Sequence, residues 1–319
     1  MVNPATIGAA GDYSTIADWV SNEAGDFSGL GEVEGRLLNE AHSSGGSITG
    51  ASNESASDHW LLTVESANRH AGVPTNSKAE IDLNGGLSNY GSAIGISDPY
   101  TVVEWVQFYR CYAGAYQNSY NVTIGAANSE IRNCIIWECG LSNRGAIGIR
   151  NNSVNNIEVH NNLIHKITKS AIQGSSYRSG QNFVQNTVYH YGISSSTGIN
   201  LSYGGATGNV KNNLVMKGGG TGTCIGGGTQ SGNITEDTSG GDSTTRTDGD
   251  IDFTDAANDD FSLNSESSDA HDTGDELGSS YEVDLAGTTR GASNWDTGAF
   301  QYVSAATAKR RRVRMGSSR

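Results

Sequence analysis

The chain is poor in the residues that break or cross-link a polypeptide. Its 319 residues include only 3 prolines and 4 cysteines, and no Cys-x-x-Cys or Cys/His spacing typical of a zinc site occurs. No apolar run approaches the roughly 18 residues that a membrane-spanning helix requires. Phosphate-binding loops, dinucleotide fingerprints and Ser-His-Asp signatures are also missing, which argues against the corresponding enzyme classes.

From the first residues we expect no secretory signal, and most of the chain is acidic. Met1 to Thr6 has neither a basic segment nor an apolar stretch, so we expect synthesis in a cytoplasm and release by another route, such as lysis of the host cell. The formal net charge is −14, and removing the six basic residues of positions 309–319 leaves −14 − 6 = −20 for residues 1–308. Such an acidic body argues against nucleic-acid binding, except through the basic tail.

What the chain has in abundance is self-similarity. Five segments with matching columns begin 28, 28, 25 and 26 residues apart, at Val103, Ile131, Val159, Val184 and Val210. In each segment a β-branched apolar residue is followed by a polar one, which indicates a strand with one buried face. A second series of apolar residues recurs at a similar spacing: Ile94, Val122, Ile147, Ile172, Ile199 and Ile225. Repeats of this length predict a solenoid of stacked parallel strands.

The third position of these segments is asparagine in four of the five. Asn133, Asn161, Asn186 and Asn212 are therefore predicted to stack at one corner of the coils. Stacked amides can bond to one another and to buried backbone groups, so we interpret them as a structural ladder.

The two ends differ from the repeats. Residues 12–24 are predicted as an amphipathic helix with Ile16, Trp19 and Val20 on one face, which would cover the exposed core of the first coil. The predicted organisation is an N-terminal cap at 1–50, a parallel β-helix at 51–240, a closing segment at 241–303 and a basic tail at 304–319.

Taken together, residues 90–235 resemble the pectate-lyase-like superfamily of right-handed parallel β-helices, with the asparagine ladder as the most specific mark. The closing segment, from Asp260-Phe-Ser-Leu to Trp295-Asp-Thr-Gly-Ala-Phe-Gln-Tyr, and the Arg-rich end are similar to β-helix proteins of tailed bacteriophages. Asp269-Ala-His departs from the superfamily's usual closing pattern. The resemblance implies an all-β right-handed parallel β-helix with a capping helix and an irregular C-terminal cap.

The resemblance also implies a function. The first hypothesis is a structural protein on the surface of a bacteriophage particle, such as a head decoration, spike or fibre. It would contact other virion proteins and bind host glycan weakly, and it leaves a homotrimer open. The alternative is a polysaccharide-degrading enzyme of the tailspike type, either a lyase or a glycoside hydrolase. The two hypotheses differ in whether the outer face carries a working cluster of charged groups.

One such cluster is predicted. Glu130 and Glu158 are 28 residues apart and should stack on successive coils, with Arg132 and His160 two residues further on. Closely spaced carboxylates raise the pKa of one partner, which is how a general acid arises. The alternative interpretation is that Arg132 and His160 simply neutralise the two carboxylates. The alignment places Phe183 at the same position of the next coil.

An aromatic column is the candidate glycan-binding surface. Tyr109, Trp137, His165, His190 and Met216 fall at one position of the repeat. If the column faces outward, Tyr109, Trp137 and His165 can stack on sugar rings. If it faces inward, these residues form part of the core.

Three further features complete the sequence predictions. Arg310, Arg311, Arg312 and Arg314 are candidates for docking to the particle, against the alternative of a solvated tail. Residues 248–255 resemble a calcium loop only superficially, because the glycine is misplaced and no Glu closes it, so no cofactor is predicted, with calcium left open. Cys111 and Cys139 should lie on adjacent coils as buried, reduced thiols.

Overall fold

The computed structural model describes residues 4–304 except 89, 113–118, 140–145, 192–195, 203, 219–221, 242–244, 292 and 294. Three sheets of parallel strands wind into a right-handed β-solenoid of about 7 turns, which confirms the predicted fold class. Each complete coil contributes one strand to each sheet in turn. The amides and carbonyls of one coil pair with those of the next, so the coils stack directly on one another.

The first sheet has nine strands: Ala5–Ile7, Glu32–Leu37, His59–Val64, Val102–Glu104, Glu130–Arg132, Ile157–His160, Gln181–Val184, Gly208–Lys211 and Thr229–Ser231. The second sheet has eight: Ala41–His42, Glu80–Asp82, Gln107–Tyr109, Ile135–Trp137, Leu163–Ile167, Thr187–Tyr191, Leu214–Met216 and Ile234–Thr235. The third sheet has seven: Gly46–Ile48, Ser92–Ile96, Ser119–Ile124, Ala146–Asn151, Ile172–Gln173, Ser196–Leu201 and Gly222–Gly227.

Helices are short. The α-helices are Ile16–Glu23 and Asp248–Ile251, and the 3-10 helices are Ser66–Asn68, Thr238–Gly240, Ala256–Asn258 and Ser279–Tyr281. An antiparallel pair, Phe253–Asp255 with Asp260–Leu263, follows the last coil. No helix among the described residues is long and apolar enough to cross a bilayer.

The capping helix begins later than predicted, at Ile16 rather than residue 12, because Thr15 is its N-cap and accepts a hydrogen bond from the Asp18 amide. Its buried face is the predicted one: Ile16, Trp19 and Val20. The Trp19 ring meets the Trp60 ring edge-on, with 4.9 Å between centroids. The helix therefore covers the apolar interior of the first coils.

The core column of the first sheet contains one residue that the sequence alignment did not predict. Val103, Ile131, Val159 and Val210 lie in register in the interior, but the residue between Val159 and Val210 is Phe183, not Val184. The prediction for Val184 was wrong because that coil is one residue shorter than the alignment assumed. Similarly, Ile149 rather than Ile147 pairs with Val122 and Ile172 in the third sheet.

The same shift splits the predicted asparagine column into two. The inner ladder consists of Asn162, Asn186, Asn213 and Asn233, all buried. The Nδ2 group of each of the first three donates to Oδ1 of the next, over 3.0, 3.0 and 3.1 Å. Each Oδ1 also accepts a backbone amide from the preceding coil, as Asn186 does from Asn162. Buried turn amides are thus satisfied without water.

The second column faces outward and makes the turn between the first and second sheets. This outer corner column consists of Trp105, Asn133, Asn161, Gln185 and Asn212, with φ of 62°, 52°, 53°, 54° and 53°. Asparagine tolerates this left-handed conformation better than most residues. The last coil has Gly232 at this corner, with φ of 59°. Asn133, Asn161 and Asn212 therefore do not belong to the ladder in which the sequence placed them.

Residues 248–303, here called the strap, pack along the side of the solenoid over the second sheet. Phe261, Leu285 and Phe300 bury themselves against Trp137 and neighbouring apolar residues. Arg290 is 2% exposed, and its guanidinium donates to the carbonyl of Gly298 and to Oδ1 of Asn161, over 2.9 and 3.4 Å. The strap is therefore held by apolar packing and by polar bonds to the outer corner column.

The four cysteines are buried thiols that form no disulfide among the described residues. Cys111 and Cys139 occupy adjacent coils, as predicted, and the Cys111 amide donates to Sγ of Cys139 over 3.3 Å. Burial raises the pKa of Cys134 to about 12, so this thiol stays protonated and behaves as a small apolar side chain.

Candidate functional site

The candidate site is a charged network on the outer face of the first sheet. Glu130 pairs with Glu158 and Arg132 with His160 on successive coils, in the register that the sequence predicts. Ile131 and Val159, between them, point into the core and are fully buried. The alternation of the strand therefore places all four polar side chains outside the solenoid, on adjacent coils spaced roughly 4.8 Å apart.

Glu130 is the centre of the network. Its Oε1 lies 2.6 Å from His160 Nε2 and accepts a hydrogen bond from Arg132 over 2.9 Å. Arg132 also donates from Nε to Glu104 over 2.8 Å. Glu104 in turn accepts from Thr63 and Arg69, over 3.0 and 3.3 Å. The charges of two arginines and two glutamates thus balance within the network.

Glu158 has different partners. Asn182 on the next coil donates to its Oε1 over 2.6 Å, and the Tyr281 hydroxyl of the strap donates to its Oε2 over 2.9 Å. The prediction that Phe183 follows Glu158 was wrong, because the shorter coil puts Asn182 there and turns Phe183 into the core. Tyr281 also meets the His160 ring edge-on at 4.9 Å.

The two carboxyls differ in acidity. Burial opposes ionisation of Glu130, but the hydrogen bond and charge of His160, together with Arg132, outweigh it and lower the pKa of Glu130 to about 2. Burial raises the pKa of Glu158 above its ordinary value, and the bonds from Asn182 and Tyr281 only partly oppose this. One carboxyl is thus held ionised and the other is pushed toward its acid form, mainly by burial and not by the neighbouring carboxylate.

A cleft of about 260 Å³ opens beside the network. The strap contributes three lining residues, Ser279, Ser280 and Val283. The solenoid side contributes the rest of the lining: Arg69, Glu104, Trp105, Arg132, Asn133, His160 and Asn161. Glu158 is not part of this lining. The cleft is somewhat smaller than typical small-molecule sites, which begin at about 300 Å³.

The aromatic column lies outside the solenoid but beneath the strap. Tyr109 and Trp137 stack with centroids 4.2 Å apart, and Trp137 and His165 continue the stack at 6.2 Å. Phe261 covers His165 at 5.2 Å, leaving His165 0% and Trp137 8% exposed. A sugar could therefore stack on Trp137 or His165 only if the strap moved away. Glycan binding at this column stays a prediction. The fourth member is Tyr189 and not His190, again because of the shorter coil.

The structure gives less support to the remaining candidate sites for docking and metal binding. Arg310, Arg311, Arg312 and Arg314 lie outside the described residues. The loop at 248–255 begins with the helix Asp248–Ile251, which is not the geometry of a calcium loop. Among the described residues, His271, Asp272 and Asp296 bring three possible metal ligands together, but the Asp296 carboxylate already binds His271 and the Asp272 amide, each over 2.8 Å.

Four residues that the sequence did not predict complete the network: Arg69, Glu104, Asn182 and Tyr281. Glu104 is the register partner of Arg132 on the adjacent coil, so the spacing of the repeat could have predicted this contact. Tyr281 is separated from Glu158 by 123 positions, and no local pattern indicates such a contact.

Comparison with known proteins gives no match. No protein-family model matches the chain, no curated protein matches its sequence, and no solved structure matches its fold.

Proposed function

We propose that the protein is a structural component of a bacteriophage particle, a decoration, spike or fibre exposed on the virion surface. One observation of the structure supports the structural role most strongly: the charged groups on the outer face bind one another and the strap. Arg132 pairs with both Glu104 and Glu130, and the Tyr281 hydroxyl donates to Glu158. An enzyme acting on a polymer needs such groups free in an open groove.

The solenoid suits a structural role. The strands of each sheet pair with those of neighbouring coils, the capping helix covers one end, and the strap covers much of one side. Paired strands and a covered core resist aggregation and proteolysis, which are sensible demands on a particle surface. The assignment to a bacteriophage rests only on the resemblance of the closing segment and the Arg-rich end. The proposal leaves open whether the protein forms a homotrimer.

Mass spectrometry of purified particles is the direct test, and the basic tail provides a matched pair of variants. We expect the full chain in the particles at a fixed copy number. Deletion of residues 309–319 should reduce incorporation if Arg310, Arg311, Arg312 and Arg314 dock the protein. A control replaces Lys169 and Lys217 by Gln, which removes charge elsewhere. A protein absent from particles would overturn the virion assignment, whereas undiminished incorporation of the truncated chain would overturn only the docking role of the tail.

A second candidate function is polysaccharide cleavage, and the opposed acidities of Glu130 and Glu158 favour it. Paired carboxyls whose environments push their pKa values apart are the usual acid and base of glycoside hydrolysis. Glu158→Gln and Glu130→Gln should each abolish release of reducing ends from a host polysaccharide if this function holds. Glu276→Gln, at an exposed position of the strap, is the control. For the structural role we expect no turnover by the unaltered protein.

A further inference from the structure

The outer corner column binds main chain where the strap crosses it. Asn161 donates from Nδ2 to the carbonyl of Val283 over 2.7 Å. Asn212 makes the same bond to the carbonyl of Asp275 over 2.7 Å and accepts the Asp275 amide at Oδ1 over 2.9 Å. Two asparagines of one column therefore bind peptide groups of the strap through Nδ2, and Asn161 also accepts a hydrogen bond from the Arg290 side chain.

Asn133 is the next asparagine of this column, and its side chain is not used in this way. It shares the left-handed conformation of Asn161 and Asn212. Asn133 lines the cleft although it is only 6% exposed, and within the part of the chain that the structure describes its Oδ1 has no hydrogen-bond partner. A half-turn of the amide exchanges Oδ1 and Nδ2, so this side chain can meet either a carbonyl or an amide.

A second residue of the cleft lining also has an unpaired buried atom. His160 is 2% exposed and uses Nε2 for Glu130, but its Nδ1 makes no hydrogen bond to any described residue. Buried polar groups are nearly always paired in native proteins, because an unpaired one costs free energy. Asn133 and His160 line the same cleft, and each has a buried polar atom that an occupant would pair once the side chain turns toward it.

The chemistry of the cleft favours an uncharged peptide over a sugar ring. Arg69 and Arg132 are both engaged by carboxylates of this chain, so neither offers a free charge. The Trp105 ring already packs against the Arg69 guanidinium at 4.8 Å and the His70 ring at 5.5 Å, and the residue is 7% exposed. Glycan sites usually offer an exposed aromatic face, whereas the Trp105 ring is already occupied by Arg69 and His70 of the same chain.

We propose that the cleft binds an extended, uncharged peptide segment of a partner protein, whose main chain is bound by the Asn133 amide as the strap's is by Asn161 and Asn212. The cleft is continuous with the strap interface, since Asn161 and Val283 line it too. The occupant extends the row of peptide groups along the outer corner column by one coil. It binds whether or not the protein belongs to a virion, so failure here and failure of the virion assignment are distinguishable.

The test titrates the full chain, with its asparagine side chains labelled with ¹⁵N, against the capped peptide acetyl-Gly-Ser-Ser-Tyr-Gln-Val-amide. This probe is the strap sequence 278–283 with its one acidic residue made neutral. Asn133→Gly removes the amide but keeps the left-handed backbone without strain. Asn128→Gly is the matched control, an exposed asparagine at φ of 60°. Asn133 is assigned from the signal that Asn133→Gly loses.

We expect a saturable shift of the Asn133 amide signal, equal affinity in Asn128→Gly, and a loss of about three- to tenfold in Asn133→Gly, the effect of one hydrogen bond. Equal affinity in both variants, or no saturable shift, would overturn the inference. Shifts at Asn161 and Asn212 alone would mean that the peptide displaces the strap, which also overturns it. Maltohexaose and the N-acetylglucosamine tetramer form a parallel arm, and an Asn133 response to them but not to the peptide would reassign the cleft to glycan.

Discussion

Two columns of asparagine run along one corner of the solenoid, one residue apart in sequence, and they bind different partners. Asn186 of the inner ladder donates to the carbonyl of Val159 on one neighbouring coil and to Asn213 on the other. Asn161 of the outer corner column binds Val283 of the strap. The inner amides therefore hold coil to coil, whereas the outer ones hold an added segment to the finished solenoid.

The difference follows from one backbone angle. A left-handed residue turns the chain at the corner and directs its own side chain outward, so the residue after it points inward. A pair such as Asn161-Asn162 or Asn212-Asn213 thus supplies both columns. Neighbours of identical chemistry end up in surroundings of different polarity, and the free-energy cost of removing each should differ accordingly.

The largest effect should come from the inner ladder. Asn186→Ala removes the bonds to Val159 and Asn213 and leaves the buried backbone amide of Asn162 without its acceptor. We expect a loss of about 3–5 kcal/mol in the free energy of unfolding, measured by urea denaturation. Asn152→Ala, at an exposed position, should change it by less than about 0.5 kcal/mol. A loss below about 1 kcal/mol for Asn186→Ala would contradict the ladder.

Glu80, a buried carboxyl on the second sheet, offers a contrast to the inner ladder. The ladder amides are hydrogen-bonded, whereas one oxygen of this carboxyl is unpaired among the described residues. No described residue bonds to Oε2 of Glu80, and burial, with a contribution from Asp82, raises the pKa of Glu80 from 4.5 to about 7. A raised folded-state pKa means that the folded state disfavours the carboxylate. Stability is then lost as the pH rises from 4.5 through 7.

Glu80→Gln should therefore be more stable than the unaltered protein at pH 8, by about 1–3 kcal/mol, and equally stable at pH 4. Urea denaturation at the two pH values measures this. Glu276→Gln is the exposed control and should show no such pH-dependent gain. A Glu80→Gln protein that is less stable at pH 8 would mean that the carboxylate has a cationic partner in the fold.

The smallest effect should come from the outer corner column. Asn161→Gly keeps the turn but removes the bonds to Val283 and Arg290, so we expect a loss of about 1 kcal/mol. Hydrogen exchange should quicken in the strap, for instance at the Leu285 amide, while the Leu163 amide between coils keeps its rate. Equal acceleration at both amides would show that the strap and the coils unfold together.

Much of the fold could be predicted because each coil repeats the same alternation. Val103, Ile131 and Val159 recur at equal spacing, and equal spacing leaves one register. The coil that leads to Val184 is one residue shorter than the alignment assumed, because the Val-Gln-Asn at Val184 resembles the Val-His-Asn at Val159. Gln185 takes the corner there in place of asparagine. A pattern of residue types cannot detect this substitution, which displaced Val184, Asn186 and His190 together.

The candidate site could be predicted only where it follows the repeat. The stacking of Glu130 on Glu158 and of Arg132 on His160 is a matter of register. The contacts that decide what these groups can do come from the strap, where Tyr281 binds Glu158 and Arg290 binds Asn161 over more than a hundred residues of chain. The aromatic stack of Tyr109 and Trp137 faces outward, which is one of the two orientations that the sequence left open. It is nevertheless covered, because apolar residues of the strap pack against it.

Exchange rates of the asparagine side-chain amides, measured by NMR on protein with ¹⁵N in asparagine, test the two-column account most directly. We predict that the Nδ2 protons of Asn186 and Asn213 exchange as slowly as the core backbone amides, and that those of Asn161 exchange faster, with the opening of the strap. Rapid exchange at Asn186 and Asn213, equal to that of the exposed Asn152, would contradict an inner ladder and with it the stacking of the coils.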